Sequence, residues 1–160
     1  MKTKLFLLML LLLSFPTLRA QKVLFGTDCT TAGLGNIMTK AGIKVIVSEP
    51  DYIQIVLDST LKIKPFIDLD TENQWLVINL ANVLKDGVSA ADAKELASAI
   101  NEQTNLIRAS YEGKENSIDF RYYFVIKGGF TEAALLSALE FFKSTYVYAI
   151  VTVDNKELFN

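Results

Sequence analysis

A strong alternation of apolar and polar residues between positions 117 and 126 limits most strongly what this chain can fold into. One set of every second residue is apolar: Ile118, Phe120, Tyr122, Phe124 and Ile126. The intervening set is mostly polar and includes Asp119, Arg121 and Tyr123. Successive side chains of a strand point to opposite faces of its sheet. The segment therefore predicts a strand with one face in a core and the other toward water, as in antiparallel sheets.

Other runs of the chain also read as strands, at residues 43–47, 52–57, 61–69, 74–80 and 105–111. The breaks between the first four are short and rich in Asp, Ser, Asn and Pro, so these strands are predicted to form a meander. Pro65 lies inside the third run. Because proline cannot donate to a strand ladder, that position is predicted to lie at an edge or a bulge.

Three helices are predicted from caps and helical spacing. The first begins after Thr30 or Thr31 and ends at Gly42, the second begins at Ser89, and the third begins at Thr131. The third has an apolar face to Ile150, although β-branched residues leave a strand as an alternative over residues 145–153. The predicted fold class is α+β, an antiparallel sheet covered by helices in the order α-β-β-β-β-α-β-β-α.

The first 20 residues have the pattern of a cleavable signal peptide. Lys2 and Lys4 precede an apolar run over residues 5–15, and Ala20 offers a cleavage position. That run is shorter than the roughly 20 residues that a membrane span requires. We expect residues 1–20 to be removed, residues 21–160 to form a single domain without a stable membrane span, and the product to be periplasmic or secreted.

Composition limits the chemistry of the remaining chain. Loss of Lys2, Lys4 and Arg19 changes the net charge from −2 to −5, which disfavours nucleic acid and anionic membrane surfaces as partners. Cys29 is the one cysteine, so no intramolecular disulfide can form. The absence of histidine removes the commonest general base and metal ligand. We therefore predict a protein that is not an enzyme and that uses no cofactor.

Two groups of charged residues offer weak alternatives to this view. Asp68, Asp70 and Glu72 alternate into a turn, where a solvated turn is the preferred interpretation over a metal site. Arg108 and Arg121 lie on adjacent predicted strands. They are expected to pair with Asp119 or Glu112 across the hairpin, and the alternative is that they hold an anionic ligand together.

Aromatic residues supply a candidate interaction surface. Tyr52, Phe66, Trp75, Tyr111 and Tyr123 fall on strand positions that mostly alternate with the apolar face. If the outer face of the sheet is open, they form a surface of the kind enriched at protein interfaces. The alternative is that the third helix or the tail covers them. The predicted interaction surface consists of Phe66, Trp75, Tyr111 and Tyr123.

The element order and residues 100–148 resemble the YbjN-like family of small bacterial proteins, often described as sensory transduction regulators. The resemblance is carried by Ile100-Asn101, Asn105, the hairpin into Phe120, and Gly128-Gly129-Phe130-Thr131 opening a helix with Leu135, Leu139 and Phe142. It extends loosely back to Lys40-Ala41-Gly42-Ile43. It implies a fold similar to the type III secretion chaperones, among which dimers are common, and brings no catalytic residues.

The leading hypothesis is an exported, non-enzymatic interaction or chaperone-like domain of the bacterial envelope. Its sheet face or a helix face would bind a polypeptide partner or form a homodimer. The alternative is a small-molecule-binding protein or a cryptic enzyme with a pocket between sheet and helices, where Arg108 or Arg121 holds an acidic group.

Overall fold

The structure is a computed structural model that describes residues 23–160; the predicted leader, residues 1–20, lies outside the described residues. The helices are α1 (Thr31–Lys40), α2 (Ala90–Gln103) and α3 (Glu132–Tyr148), and α3 continues into a π-helical turn (Ala149–Val153). The strands are β1 (Val23–Leu24), β2 (Lys44–Ser48), β3 (Tyr52–Val56), β4 (Phe66–Asp70), β5 (Trp75–Val83), β6 (Arg108–Glu112), β7 (Ser117–Val125) and β8 (Phe130–Thr131). A 3-10 turn (Gly26–Asp28) follows β1.

Six strands form one antiparallel sheet in the order β2-β3-β4-β5-β7-β6, and β1 pairs with β8 in a small second sheet. The first four strands of the large sheet form the predicted meander. Helix α2 then connects β5 to β6, which is the edge strand on the other side of the sheet. Strand β7 pairs with both β6 and β5 and lies between them. The predicted α+β class, with an antiparallel sheet and three helices, is confirmed.

All three helices pack on one face of this sheet. Ile118 and Phe120 of β7 are fully buried there, in the same cluster as Leu34 of α1, Ile100 of α2 and Leu139 of α3. The apolar set of the alternating segment thus faces the core, as its period of two requires. The polar set is left on the opposite face.

Each helix begins at a predicted cap. The hydroxyl oxygens of Thr30, Ser89 and Thr131 accept hydrogen bonds from the backbone N–H three residues later, at 3.0, 3.1 and 3.1 Å. Such caps satisfy N–H groups that have no partner inside the helix.

The third strand was predicted over residues 61–69, but the observed strand β4 is shorter and does not contain Pro65. Strand β4 begins at Phe66, directly after Pro65, and lies between β3 and β5 in the interior of the sheet. Pro65 has no N–H to give, but its carbonyl oxygen accepts a hydrogen bond from Ile55 at 3.1 Å. The edge position predicted for Pro65 is therefore wrong: the strand starts where donors become available.

The end of α3 is helical, and the strand alternative for residues 145–153 is wrong. By length and composition alone, Glu132–Val153 could cross a membrane. Leu135, Leu139 and Phe142, however, are buried in the core beneath the sheet. One face of α3 thus packs in the core, but only 28% of its most apolar stretch is buried, so much of the helix is exposed.

Candidate interaction surface

The sheet face opposite the helices is the candidate functional surface, hereafter the open face. The strand register places these side chains on it: Tyr52, Gln54, Phe66, Asp68, Asp70, Trp75, Val77, Asn79, Ala81, Val83, Arg108, Ser110, Glu112, Ser117, Asp119, Arg121, Tyr123 and Val125. Over residues 23–160, the helices contribute to the core on the other face, and no helix covers this one. A sheet face that carries large apolar side chains without a covering layer is typical of an interaction site.

Two aromatic pairs lie on the open face. The rings of Tyr52 and Phe66 meet edge to face with centroids 5.6 Å apart, and those of Trp75 and Tyr123 do so at 5.4 Å. Each pair spans neighbouring strands, so it stabilises the sheet while leaving ring surface exposed. Tyr123 is 42% exposed and its neighbour Val125 is 57% exposed. Phe66, Trp75 and Tyr123, which were predicted to share a surface, thus lie on the same face of the sheet.

Tyr111 does not belong to that surface, and its assignment to it is wrong. In the β6–β7 register Tyr111 lies opposite Ile118, a fully buried core residue, and its ring packs against the core. Tyr111 has the same parity as Ile107 and Ala109, which are both buried. The alternation of Ile107, Ala109 and Tyr111 in the sequence could have placed Tyr111 on the core face.

A half-buried carboxylate lies between the aromatic pairs. Asp68 lies directly opposite Tyr52 on one side and Val77 on the other, and it accepts a hydrogen bond from the Asn79 side-chain amide. Burial, together with the nearby Asp51 carboxylate, raises the pKa of Asp68. The open face thus holds an acid whose ionised form is partly desolvated.

Replacing Asp68 with Asn is expected to raise the melting temperature at neutral pH. A raised pKa means that the folded chain takes up the Asp68 proton at higher pH than the unfolded chain, so ionisation opposes folding at neutral pH. Asn keeps an acceptor for Asn79 and carries no charge. Melting curves of both proteins from neutral pH downward should converge as the pH falls through the raised pKa. A difference that does not depend on pH would contradict the assignment.

The two arginines of the candidate anion site lie side by side on the open face. Arg108 is directly opposite Arg121, a like-charge arrangement that costs stability. Arg121 is paired with Asp119 at 3.1 Å along its own strand, and Arg108 has no ion pair within the described chain. The expected pairing with Asp119 is thus present, but it runs along β7 and not across the hairpin. Neither arginine lines any of four surface cavities of about 140 to 440 Å³.

Two of the three acidic residues at the β4–β5 turn, Asp68 and Asp70, have local partners. The Asp70 carboxylate accepts hydrogen bonds from the backbone and side-chain nitrogens of Asn73 at 2.9 and 2.8 Å, which lowers the pKa of Asp70. Asp68 is engaged by Asn79. Between residues 23 and 160 no group of three or more acidic or cysteine side chains is arranged to hold a metal ion.

Cys29 is a half-buried thiol beside α1, and burial raises its pKa to about 11. Thiolate is the reactive form, so the folded protein should resist alkylation. We expect iodoacetamide at pH 8 to modify Cys29 roughly a hundredfold more slowly in the folded protein than in denaturant, since an unperturbed thiol has a pKa of about 8.5. Intact-mass measurements over time check this. Equal rates would show that the thiol is exposed.

Both edge strands of the large sheet, β2 and β6, have features that hinder pairing with an additional strand. At β6, the Asn101 side chain accepts a hydrogen bond from Ala109 N–H and donates one to Ala109 C=O, both at 2.8 Å, as a neighbouring strand would. At β2, the register shifts between Val45 and Val47, and exposed Lys44 starts the strand. Bulges and lysines are common devices against edge pairing. Sequence reasoning missed the role of Asn101.

No family model matches this sequence, and no curated protein matches it. The crystal structure of YbjN from E. coli, a proposed transcription regulator, superimposes with a TM-score of 0.67 over 81% of this chain and 94% of that one. The chain has the YbjN fold. The sequence identity is 12%, so the likeness extends to the fold alone. The resemblance to YbjN seen in residues 100–148 is confirmed at that level.

Proposed function

We propose that this chain is an exported, non-enzymatic interaction domain whose open face binds a polypeptide partner. The observation that carries the proposal is the uncovered sheet face with its Tyr52–Phe66 and Trp75–Tyr123 pairs. The YbjN fold supports a role in regulation or protein interaction. The net negative charge, −2 for the full sequence, argues against DNA as the ligand.

Binding through the face is favoured over binding through an edge. A partner strand at β6 would have to displace two hydrogen bonds from Asn101, and one at β2 would meet a bulge. The open face needs no such displacement. Aromatic side chains that are already positioned by edge-to-face contacts lose little freedom on binding, which favours affinity.

Export is the second part of the proposal and rests on residues 1–20. We expect the protein in the envelope or culture medium to begin at Gln21, because Ala20 supplies the cleavage position. Cell fractionation followed by intact-mass measurement checks this. A full-length chain confined to the cytoplasm would contradict export and leave the surface argument in place.

The binding surface is tested by a photocrosslinking residue at Tyr123. In the native cell, it should attach a discrete polypeptide, whereas the same residue at exposed Lys94 on α2 should not. Once identified, the partner should bind Trp75→Ala and Tyr123→Ala roughly 10-fold or more weakly, as for aromatic hot spots. Leu61→Ala, an exposed apolar change on the helix side of the sheet and outside the open face, is the matched control. Equal affinity of all variants would overturn the proposal.

A further inference from the structure

Helix α3 presents an uncharged row of side chains to solvent, on the side of the molecule away from the open face. The row comprises Ala134, Ser137, Phe141, Ser144, Tyr148 and Val151, all exposed, and is called the α3 seam. Phe141, Tyr148 and Val151 are 39%, 41% and 77% exposed. Of the exposed residues between 133 and 152, only Glu140 is charged. Solvent-facing helix surfaces are ordinarily polar and charged, so this surface needs another explanation.

The spacing of the α3 seam is that of a helix-packing interface. Its residues follow one another at intervals of three, four, three, four and three, the a/d repeat of two packed helices. Val151 continues the row in the π-helical turn. The buried face of α3, with Leu135, Leu139 and Phe142, is already used by the core. The seam is thus a second packing face on the same helix.

A groove runs beside the α3 seam. Its volume is about 440 Å³, with Gln103–Leu106 on one wall and Phe141, Ser144, Thr145 and Tyr148 on the other. Leu106 is 55% exposed. None of the lining side chains is charged, and Leu106, Phe141 and the ring of Tyr148 give the groove apolar surface, so it suits an uncharged occupant with apolar side chains. A flat lipid surface does not enter a groove, whereas a helix does.

We propose that the occupant is α3 of a second copy, packed antiparallel about a two-fold axis. In that arrangement, Phe141 faces Ser144 of the other copy, Tyr148 faces Ser137, and Val151 faces Ala134. Every layer then sets a large side chain against a small one, as interlocking helix packing requires. An isologous interface brings one patch against itself, so an uncharged seam meets an uncharged seam. Glu140 and Lys143, paired within one chain at 2.7 Å, flank the contact.

Such a dimer joins the helix layers and leaves both open faces free. It would therefore be a two-site module, with the gain in avidity that two linked sites provide. The inference stands on α3 and the 103–106 loop, and is independent of what binds the open face.

The test is the mass of the full chain, expressed and purified, by sedimentation equilibrium over a wide range of concentration. We expect a reversible dimer. Phe141→Ser leaves a void and Ser144→Phe a clash, so each should raise the dimer dissociation constant by about 10- to 100-fold. The double variant exchanges large for small in the same layer and should recover dimerisation to near the original level. Val83→Ser on the open face is the matched control and should leave the mass unchanged.

Three results would overturn the proposal. One is a monomer at every concentration, and another is a dimer that neither single variant weakens. The third is a double variant that dimerises no better than the singles, since positions 141 and 144 would then not face each other. A monomer that binds phosphatidylcholine vesicles through Phe141 would assign the seam to lipid instead. Trp75→Ala and Tyr123→Ala should preserve the dimer, which separates this outcome from failure of the open-face proposal.

Discussion

Replacing Asn101 with Leu is expected to destabilise the protein by about 2 to 4 kcal/mol, since Ala109 N–H and C=O would both lose their partner. Leu has a similar size but can neither donate nor accept a hydrogen bond. The backbone groups of Ala109 would then be available to a strand from another molecule, because β6 is an edge strand. We expect this variant to form strand-paired assemblies on concentration or mild heating.

Urea unfolding and light scattering measure the two effects of the Asn101 change. Asn101→Asp is an intermediate case, since a carboxylate can accept from Ala109 N–H but cannot donate to its C=O. Glu102→Leu is the matched control, because it adds the same apolar side chain at the next, exposed helix position. Wild-type stability and mass in Asn101→Leu would mean that the edge is protected by something other than this amide.

Features that depend on near neighbours in the chain could be predicted from the sequence. The hydroxyls of Thr30, Ser89 and Thr131 cap helices because each needs only a backbone N–H three residues away. Strand β7 was predictable because alternate residues from Ile118 onward are apolar and face the core. The element order and the meander followed from such local signals.

Features set by partners distant in the chain could not be predicted. Leu61 is a different case, since it is in a turn because nearby Pro65 delays the start of β4 until Phe66. Asn101 looked like an ordinary polar residue near a helix end, and only the position of β6 beside α2 gives it two backbone partners. The contacts of Asn101 with Ala109 leave no mark in the sequence pattern.

The α3 seam could not be predicted from the sequence for a different reason. Almost every face of the last helix is apolar or uncharged, so hydropathy alone does not separate a buried side from an exposed one. Leu136 and Phe141 are close in the sequence, yet Leu136 packs against the core while Phe141 is exposed. The difference comes from where the sheet lies, which only the tertiary structure supplies.

Phe120→Ala is expected to cost about 3 to 5 kcal/mol, the range for deleting a large buried aromatic side chain. Phe120 is fully buried, and its ring centroid lies 5.0 Å from that of Tyr146 in α3 and 6.0 Å from that of Phe159 near the C-terminus. The change therefore opens a cavity where β7, α3 and the C-terminal segment meet, and urea unfolding measures its cost.

Tyr123→Ala is the control for Phe120→Ala, because it removes an aromatic side chain from the same strand but from the open face. It should cost no more than about 1.5 kcal/mol, because a surface aromatic pair contributes little to stability, and it should instead weaken partner binding. Phe120→Ala should do the reverse, lowering stability while leaving the affinity of the folded fraction unchanged. Equal stability losses for the two variants would mean that both faces of β7 are covered, and the open face would then be unavailable to any partner.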